Sequence, residues 1–289
     1  TQHLAQYSGI GTSAALYGLM RIAVLSDIHG NLAAFEAALA DARAQSPDQI
    51  ILAGDYVNGG PDSLACWQMA RDCGLPVIRG NHERYLFDAG TERQHPRWAT
   101  PWFNAVRFAY RDFSESDFED MRHLSYDWHG DDVYVVHSTK NHDHDLLPDK
   151  ASIEALSHLF PGITASLIIR GHNHRHRIDH WAEKTIITAG SVGIGLSGGP
   201  VAVYALATRK NGSWHTEHRY VEYNLAHTLK RFEDTNYLDF TGIIGKLYRQ
   251  ELMTGKNTIV AFIERYRERL DSDKISWEWA WEDFQRVLE

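Results

Sequence analysis

Eight side chains of this sequence have the chemistry of metal ligands or proton donors: Asp27, His29, Asp55, Asn81, His82, His137, His172 and His174. They occur as Asp27-Ile28-His29, Gly54-Asp55, Gly80-Asn81-His82, a single His137, and Gly171-His172-Asn173-His174. Each group follows a short apolar stretch. Oxygen and imidazole donors suit divalent cations of the borderline class. In an extended loop, residues i and i+2 point the same way. That spacing is expected to let Asp27 and His29 reach one ion together, and likewise His172 and His174. Glycines at 54, 80 and 171 permit sharp turns and close backbone approach. Seven ligands (the eight without His82) exceed the needs of one four-coordinate ion and suit two, with a carboxylate such as Asp55 as a bridge. Two cations about 3.5–4 Å apart can clamp a phosphoryl group and generate hydroxide at neutral pH. Taken singly, an Asp-x-His is usually a polar loop pair and a Gly-Asp a turn. The inference rests on all five groups together.

The elements that must position these groups alternate between strand and helix over the first 200 residues. Ile22–Ser26 is a short continuous apolar run, as in a strand buried on both faces. A helix follows from Asn31 to about Gln45, with Leu32, Phe35, Leu39 and Ala42 on one face. Further strands are expected at 49–53, 76–79, 132–136, 167–170 and 185–188, and helices at 62–73 and 152–160. Residues 84–126 carry helix-like stretches rich in aromatics. Val201–Thr208 and Ser213–Tyr223 read as a hairpin around Asn211-Gly212. In an open α/β sheet the strand-end loops gather along one edge, where ligands bind. Residues 20–224 are thus expected to form one α/β unit and residues 225–289 a helical appendage. In that appendage Ile259, Ile263, Tyr266 and Leu270 have helical spacing, whereas Trp277, Trp279 and Trp281 also alternate as a strand would.

Composition narrows the function classes. The net charge of −9, with no long basic run, argues against broad nucleic-acid binding. An acidic protein that handles phosphate needs a local positive centre, which two dications would supply. No apolar run is long enough to span a membrane, and residues 1–19 lack the pattern of a signal peptide. Met20-Arg21 followed by a strand reads as a natural start, so residues 1–19 are expected to be an extension that is not native, or else an arm packing on a neighbour. Cys66 and Cys73 lie on one helical face about 10 Å apart, too far for a disulfide. Two reduced thiols fit a cytoplasmic setting.

The five groups, with the flanking residues of Ser26-Asp27-Ile28-His29-Gly30-Asn31, Gly80-Asn81-His82-Glu83 and Val136-His137-Ser138, resemble calcineurin-like metallophosphoesterases over residues 21–199. Ala189-Gly190-Ser191-Val192-Gly193 is similar to a loop of the small bacterial phosphodiesterase branch. The resemblance implies a four-layer α/β/β/α sandwich. It implies that Asp27, His29, Asp55 and His174 hold one metal and Asp55, Asn81, His137 and His172 the other. It also implies in-line attack by a metal-bridging hydroxide, with His82 off the metals as leaving-group acid or transition-state stabiliser. The metals could be Mn, Fe, Zn, Co or Ni. Glu83 either orients this region or caps a surface helix.

Ser/Thr protein phosphatases and dinucleoside polyphosphate hydrolases carry Asp-Arg-Gly where this chain has Asn58-Gly59-Gly60. The usual carboxylate partner of the catalytic His and a bidentate phosphate-gripping Arg are therefore both missing. A small-molecule phosphodiesterase or broad-specificity phosphatase is favoured, acting on a small phosphorylated molecule or nucleotide. The alternative of another class is a scaffold or binding module, but such members lose part of the ligand set, which is complete here. Nothing in the sequence excludes a homo-oligomer. Selectivity is expected to come from the loop after His137, with Lys140, Asn141, His142 and His144, or from Trp98, Trp102 and Phe103. Lys140 is the weakest of the substrate-binding candidates, behind Asn81 and His82, and most of the aromatics are expected to pack in the core.

Overall fold

The computed structural model describes residues 20–148 and 150–288, so the expectation for residues 1–19 lies outside them. The chain starts with β1 (Met20–Leu25), α1 (Leu32–Ala44), β2 (Gln49–Ala53), α2 (Ser63–Asp72) and β3 (Val77–Ile78). Three helices follow, α3 (Asn81–Phe87), α4 (Asn104–Tyr110) and α5 (Glu115–Arg122). Next come β4 (Asp127–Gly130), β5 (Val133–Val136), α6 (Ile153–Leu159), β6 (Leu167–Arg170), β7 (His176–Trp181) and β8 (Lys184–Ala189). The hairpin β9 (Val201–Lys210) and β10 (Ser213–Glu222) closes the α/β part.

Two five-stranded sheets result, ordered β10-β9-β1-β2-β3 and β4-β5-β6-β8-β7. The inner strands of both are parallel, β1 with β2 and β2 with β3, β5 with β6 and β6 with β8. Their continuous apolar runs are explained by the period of two. Ile22, Val24, Ile51 and Ala53 of the first sheet face Val133, Val135, Leu167, Ile169 and Ile187 of the second. The intervening Ala23, Leu25, Ile50 and Leu52 face α1 and α2 instead. On the far side, Tyr134, Val136, Ile168 and Ile186 pack against Leu156 and Phe160 at α6. Helix, sheet, sheet and helix therefore stack in layers, with the central strands buried on both faces.

β4 and β7 have no counterpart in the sequence reading. Both are antiparallel strands at the two edges of the second sheet, and both read as polar because one face stays wet. After Asn224 come α7 (Leu225–Asp234), α8 (Tyr237–Thr241), α9 (Ile243–Thr254), α10 (Thr258–Asp271) and α11 (Trp277–Leu288). The Trp277/Trp279/Trp281 stretch is thus helical: Ala280 and Phe284, four apart, are its buried residues. These helices share one apolar cluster, built on Phe232, Tyr237, Leu247, Phe262 and Tyr266, which also takes in Ala105 and Phe108 of α4. Among the described residues no helix is long and apolar enough to cross a membrane. Cys66 is buried and Cys73 partly buried, and both are free thiols.

Candidate metal centre

All seven expected ligands and His82 come together where the C-terminal ends of β1, β2, β3, β5 and β6 meet. Asp27 and His29 follow β1, Asp55 follows β2, Asn81 opens α3 after β3, His137 follows β5, and His172 and His174 follow β6. Three sets of donor atoms each lie within 4.8 Å of one another: Asp27 with His29 and His174, Asp55 with His137 and His172, and His29 with Asp55 and His82. Asn81 joins the second set, its Oδ1 lying 3.1 Å from His137 Nε2 and 3.0 Å from His172 Nδ1. Asp55 Oδ2 is central, 3.2 Å from His137 Nε2 and 3.8 Å from both His29 Nε2 and His82 Nε2.

The backbone that presents them is not extended. Asp27, His29, Asp55, His172 and His174 all have positive φ, between 49° and 69°. The i, i+2 argument from an extended loop is therefore wrong in its geometry: Asp27 and His29 still meet in one donor set, but His172 and His174 fall in different ones. Non-glycine residues rarely adopt this left-handed region, and where they do the surroundings must enforce it. Here backbone bonds between neighbouring loops enforce it: Asp27 N to Gly54 O, His29 N to Asp55 O and Gly60 N to His29 O, at 3.0, 2.9 and 2.6 Å. The glycines admit the carboxylates. A Cβ on Gly80 would overlap Asp55 Oδ1, and one on Gly171 would overlap Ser26 Oγ and Asp27 Oδ2.

Glu83 is no surface cap. It is fully buried and accepts from the backbone N–H groups of Asp55 (2.9 Å), Tyr56 (2.7 Å) and Gly80 (2.8 Å). It therefore ties the Asp55 loop to the start of α3. Burial and nearby Asp55 push its carboxyl up to about 7.

Tautomers test whether these residues fit cations. His29 Nδ1 lies 2.9 Å from Asn58 O, and His137 Nδ1 lies 2.8 Å from Ala53 O. A carbonyl oxygen only accepts, so in both rings Nδ1 carries hydrogen and, when the ring is neutral, Nε2 offers a lone pair. His29 Nε2 then faces His174 Nε2 at 2.8 Å. His137 Nε2 faces the oxygens of Asp55 and Asn81. Acceptors converging on acceptors require a proton or a cation between them, and the donor set suits a divalent cation. Where no cation binds, the proton takes its place. Burial opposes charge on His137, but Asp55 outweighs it and raises the imidazole to about 10. For Asp55 burial also opposes charge, yet His137, His82 and His29 hold the carboxyl far below its ordinary value. For His82 and His172 burial outweighs the pull of Asp55 and takes each down to about 3.

Other expected contributors lie elsewhere. Lys140 is exposed and lines a cavity of about 300 Å³ with His129, Tyr134 and Ile163, apart from the acidic and imidazole cluster. Trp102 packs on Phe262 and Trp277, and Trp98 on Tyr110. Neither arginine that precedes a motif glycine is among the expected contributors: Arg170 is fully buried and bound to Ser138 O, Asn173 Oδ1 and Asp145 O. Arg79 lies between the Phe87 and Tyr126 rings. Asn58, read from the sequence only as a missing carboxylate, and Tyr248, which the sequence does not single out, also stand at the centre. Asn58 Nδ2 donates to His82 Nδ1 at 2.6 Å, and Tyr248 Oη lies 3.4 Å from the same nitrogen.

The description of the calcineurin-like phosphoesterase superfamily domain matches residues 20–212, and the chain belongs to that family. Its members are metal-dependent phosphoesterases, the class that this fold and this donor set define. The chain is 32% identical over 87 residues to serine/threonine-protein phosphatase 1 of Salmonella typhimurium, a stretch covering 29% of this chain and 40% of that protein. It is 39% identical over 62 residues to an uncharacterized protein of Methanocaldococcus jannaschii, covering 22% of this chain and 26% of that one. The chain thus spans less than half the length of either. A metallophosphoesterase from Sphaerobacter thermophilus superposes with a TM-score of 0.63 at 22% identity, over 82% of this chain and 100% of that one. A hypothetical protein from Pyrococcus horikoshii gives 0.61 at 16% identity, over 82% and 98%. At these identities both likenesses speak to the fold.

Proposed function

We propose that the protein hydrolyses phosphoester bonds of small molecules, phosphodiesters foremost, with two divalent cations held in the centre. Asp27, His29, Asp55 and His174 would hold one, and Asp55, Asn81, His137 and His172 the other. The observation that carries this reading is the convergence of imidazole lone pairs and carboxylate oxygens from both sheets beside His82. When bound, the cations would set positive charge against the phosphoryl oxygens and acidify water.

The remaining chemistry belongs to the chain. His82 is partly exposed, with Nε2 3.8 Å from Asp55 Oδ2, so it can reach a departing oxygen beside the cations and donate to it. The Asp55 carboxylate accepts from the His82 backbone N–H at 2.9 Å, which fixes the start of α3 on the centre. The diester preference follows from what grips phosphate. Gly59 stands where protein phosphatases carry an arginine, and Arg84, two residues after His82, is tied to Asp143 at 2.6 and 2.9 Å. A monoester dianion needs more positive charge than a diester monoanion, and the centre offers little beyond its cations. The similarity to the Salmonella phosphatase favours a second reading, hydrolysis of phosphomonoesters on protein. Asn58 and Gly59 weigh against it.

The test is a metal-supplemented panel of nitrophenyl mono- and diesters, cyclic nucleotides, dinucleoside polyphosphates and phosphopeptides. Fastest turnover on diesters, abolished by chelator, is expected. Phosphopeptides cleaved faster than diesters would replace this reading with the second. A chain that binds no metal and turns over nothing would be a scaffold.

A further inference from the structure

His82 is oriented from outside the region that matches the family. Its Nδ1 receives the Asn58 amide at 2.6 Å, and the same amide nitrogen donates to Tyr248 Oη at 3.4 Å. Tyr248 stands on α9, beyond residue 212, where the family match ends. The helix has little freedom to withdraw. Tyr237 Oη donates to Gly59 O at 2.8 Å, Arg231 holds Asp62 Oδ1 at 2.7 and 2.9 Å, and Gly198 N donates to Gly255 O at 3.2 Å. A Cβ at Gly59 would meet Tyr248 Cε1 at 3.3 Å and His29 Cβ at 3.0 Å, so the phenol ring lies directly on the loop that carries Asn58.

The chemistry of this chain of contacts has a direction. An amide nitrogen only donates, so His82 Nδ1 must accept, and the proton of the neutral ring sits on Nε2. Nε2 is the nitrogen that faces the centre, 3.8 Å from Asp55 Oδ2. Both amide hydrogens then have acceptors, Nδ1 on one side and Oη on the other. Asn58 is 2% exposed and its Oδ1 has no partner, so the nitrogen end alone holds the amide in place. Without the hydroxyl, one amide hydrogen loses its acceptor and the side chain is free to turn its oxygen toward His82, which moves the proton to Nδ1.

We propose that Tyr248 is a positioning residue for His82, acting through Asn58 to keep the imidazole N–H on Nε2, where it can hydrogen-bond to the charge building on a leaving oxygen while the proton stays on the neutral ring. The step at the leaving group rests on the hydrolase reading, whereas the tautomer does not. The C-terminal helices are therefore part of the working centre, and Asn58 with Tyr248 occupies the place where other branches carry a carboxylate, donating to Nδ1 where a carboxylate would accept from it.

Tyr248→Phe removes the hydroxyl and keeps the ring. Nitrogen shifts of His82 in the ¹⁵N-histidine-labelled full chain, with zinc added so that spectra stay diamagnetic, read the tautomer directly. The native chain is expected to show Nε2–H alone and Tyr248→Phe a mixture. An Nδ1–H tautomer in the native chain, or unchanged shifts in the variant, would overturn the proposal. In turnover of an ester with a poor leaving group, Tyr248→Phe is expected to lower kcat about tenfold, with KM, metal content and melting temperature unchanged, and to cause no further loss on a His82→Ala background. Equal losses on both backgrounds would show that Tyr248 does not act through His82. If the native chain cleaves no phosphoester, the hydrolase reading fails, and the nitrogen shifts still decide the role of Tyr248.

Discussion

Asp55 Oδ2 lies within 3.8 Å of imidazole nitrogens from three residues, His29, His82 and His137, where Asp27 Oδ1 has two, His29 and His174. Asp55→Asn is expected to reduce bound metal from two ions per chain to well below one, counted by inductively coupled plasma mass spectrometry. Loss of a single ion would show that Asp55 does not bridge. His82→Ala should retain both ions and lose roughly 10²–10⁴-fold in turnover, the usual worth of a positioned proton donor. Metal binding should also release protons. With His137 raised to about 10, its imidazole is charged at neutral pH before a cation arrives and must be neutral afterwards. Apparent affinity is therefore expected to rise with pH up to about 10 and to fall as pH drops below it. Calorimetry at pH 7.5 in buffers of different ionisation enthalpy measures the proton count, and a count of zero would contradict the charged His137.

At the scale of elements, the decisive feature is that five strand ends deliver ligands, those of β1, β2 and β6 through left-handed residues fitted against glycines. Gly171→Ala is expected to displace Asp27, because the new methyl would overlap its Oδ2 and Ser26 Oγ. The result should be a cost of about 1–3 kcal/mol in denaturant unfolding together with lost metal. A variant with native metal content would show that the loop can yield without moving its carboxylate. The strand ends were legible because most of the parallel strands are short apolar runs that stop abruptly at a ligand, as Ile51-Leu52-Ala53 does before Gly54-Asp55. β7 was not, because polar residues stand on both of its faces: His176 and His180 on one, and Arg177 and Asp179, paired at 2.6 Å, on the other. The positive φ values were hidden as well, since Asp and His enter the left-handed region more often than most side chains but still adopt it in a minority of cases. Asn58 and Tyr248 lie 190 residues apart, and no local pattern announces a contact of that kind.

At the scale of the whole molecule, the helices after Asn224 do not hang from the α/β part. Phe108 of α4 packs 4.8 Å from the Tyr237 ring and 5.7 Å from that of Phe240, inside one continuous apolar cluster. Phe108→Ala is expected to cost about 3–5 kcal/mol, and sheet and helix signals should melt together in both proteins. Two separate transitions in the native chain would show that the C-terminal helices fold independently. Their helical nature was readable from the spacing of Ile259, Ile263, Tyr266 and Leu270. Their reach into the catalytic region was not, because it depends on how the cluster turns α9 toward Gly59.

The two donor groups that fit the proposed cations each draw on both sheets: Asp27 and His29 with His174, and Asp55 with His137 and His172. A bound ion would thus work as a cross-link, pinning the halves of the sandwich at their shared rim as a disulfide pins two loops. Each ion present at a hundred times its dissociation constant would add about 2.7 kcal/mol to the folded state. Stripping the ions with a chelator should then shorten the lifetime of the fold as well as silence it, and storage with metal would preserve it.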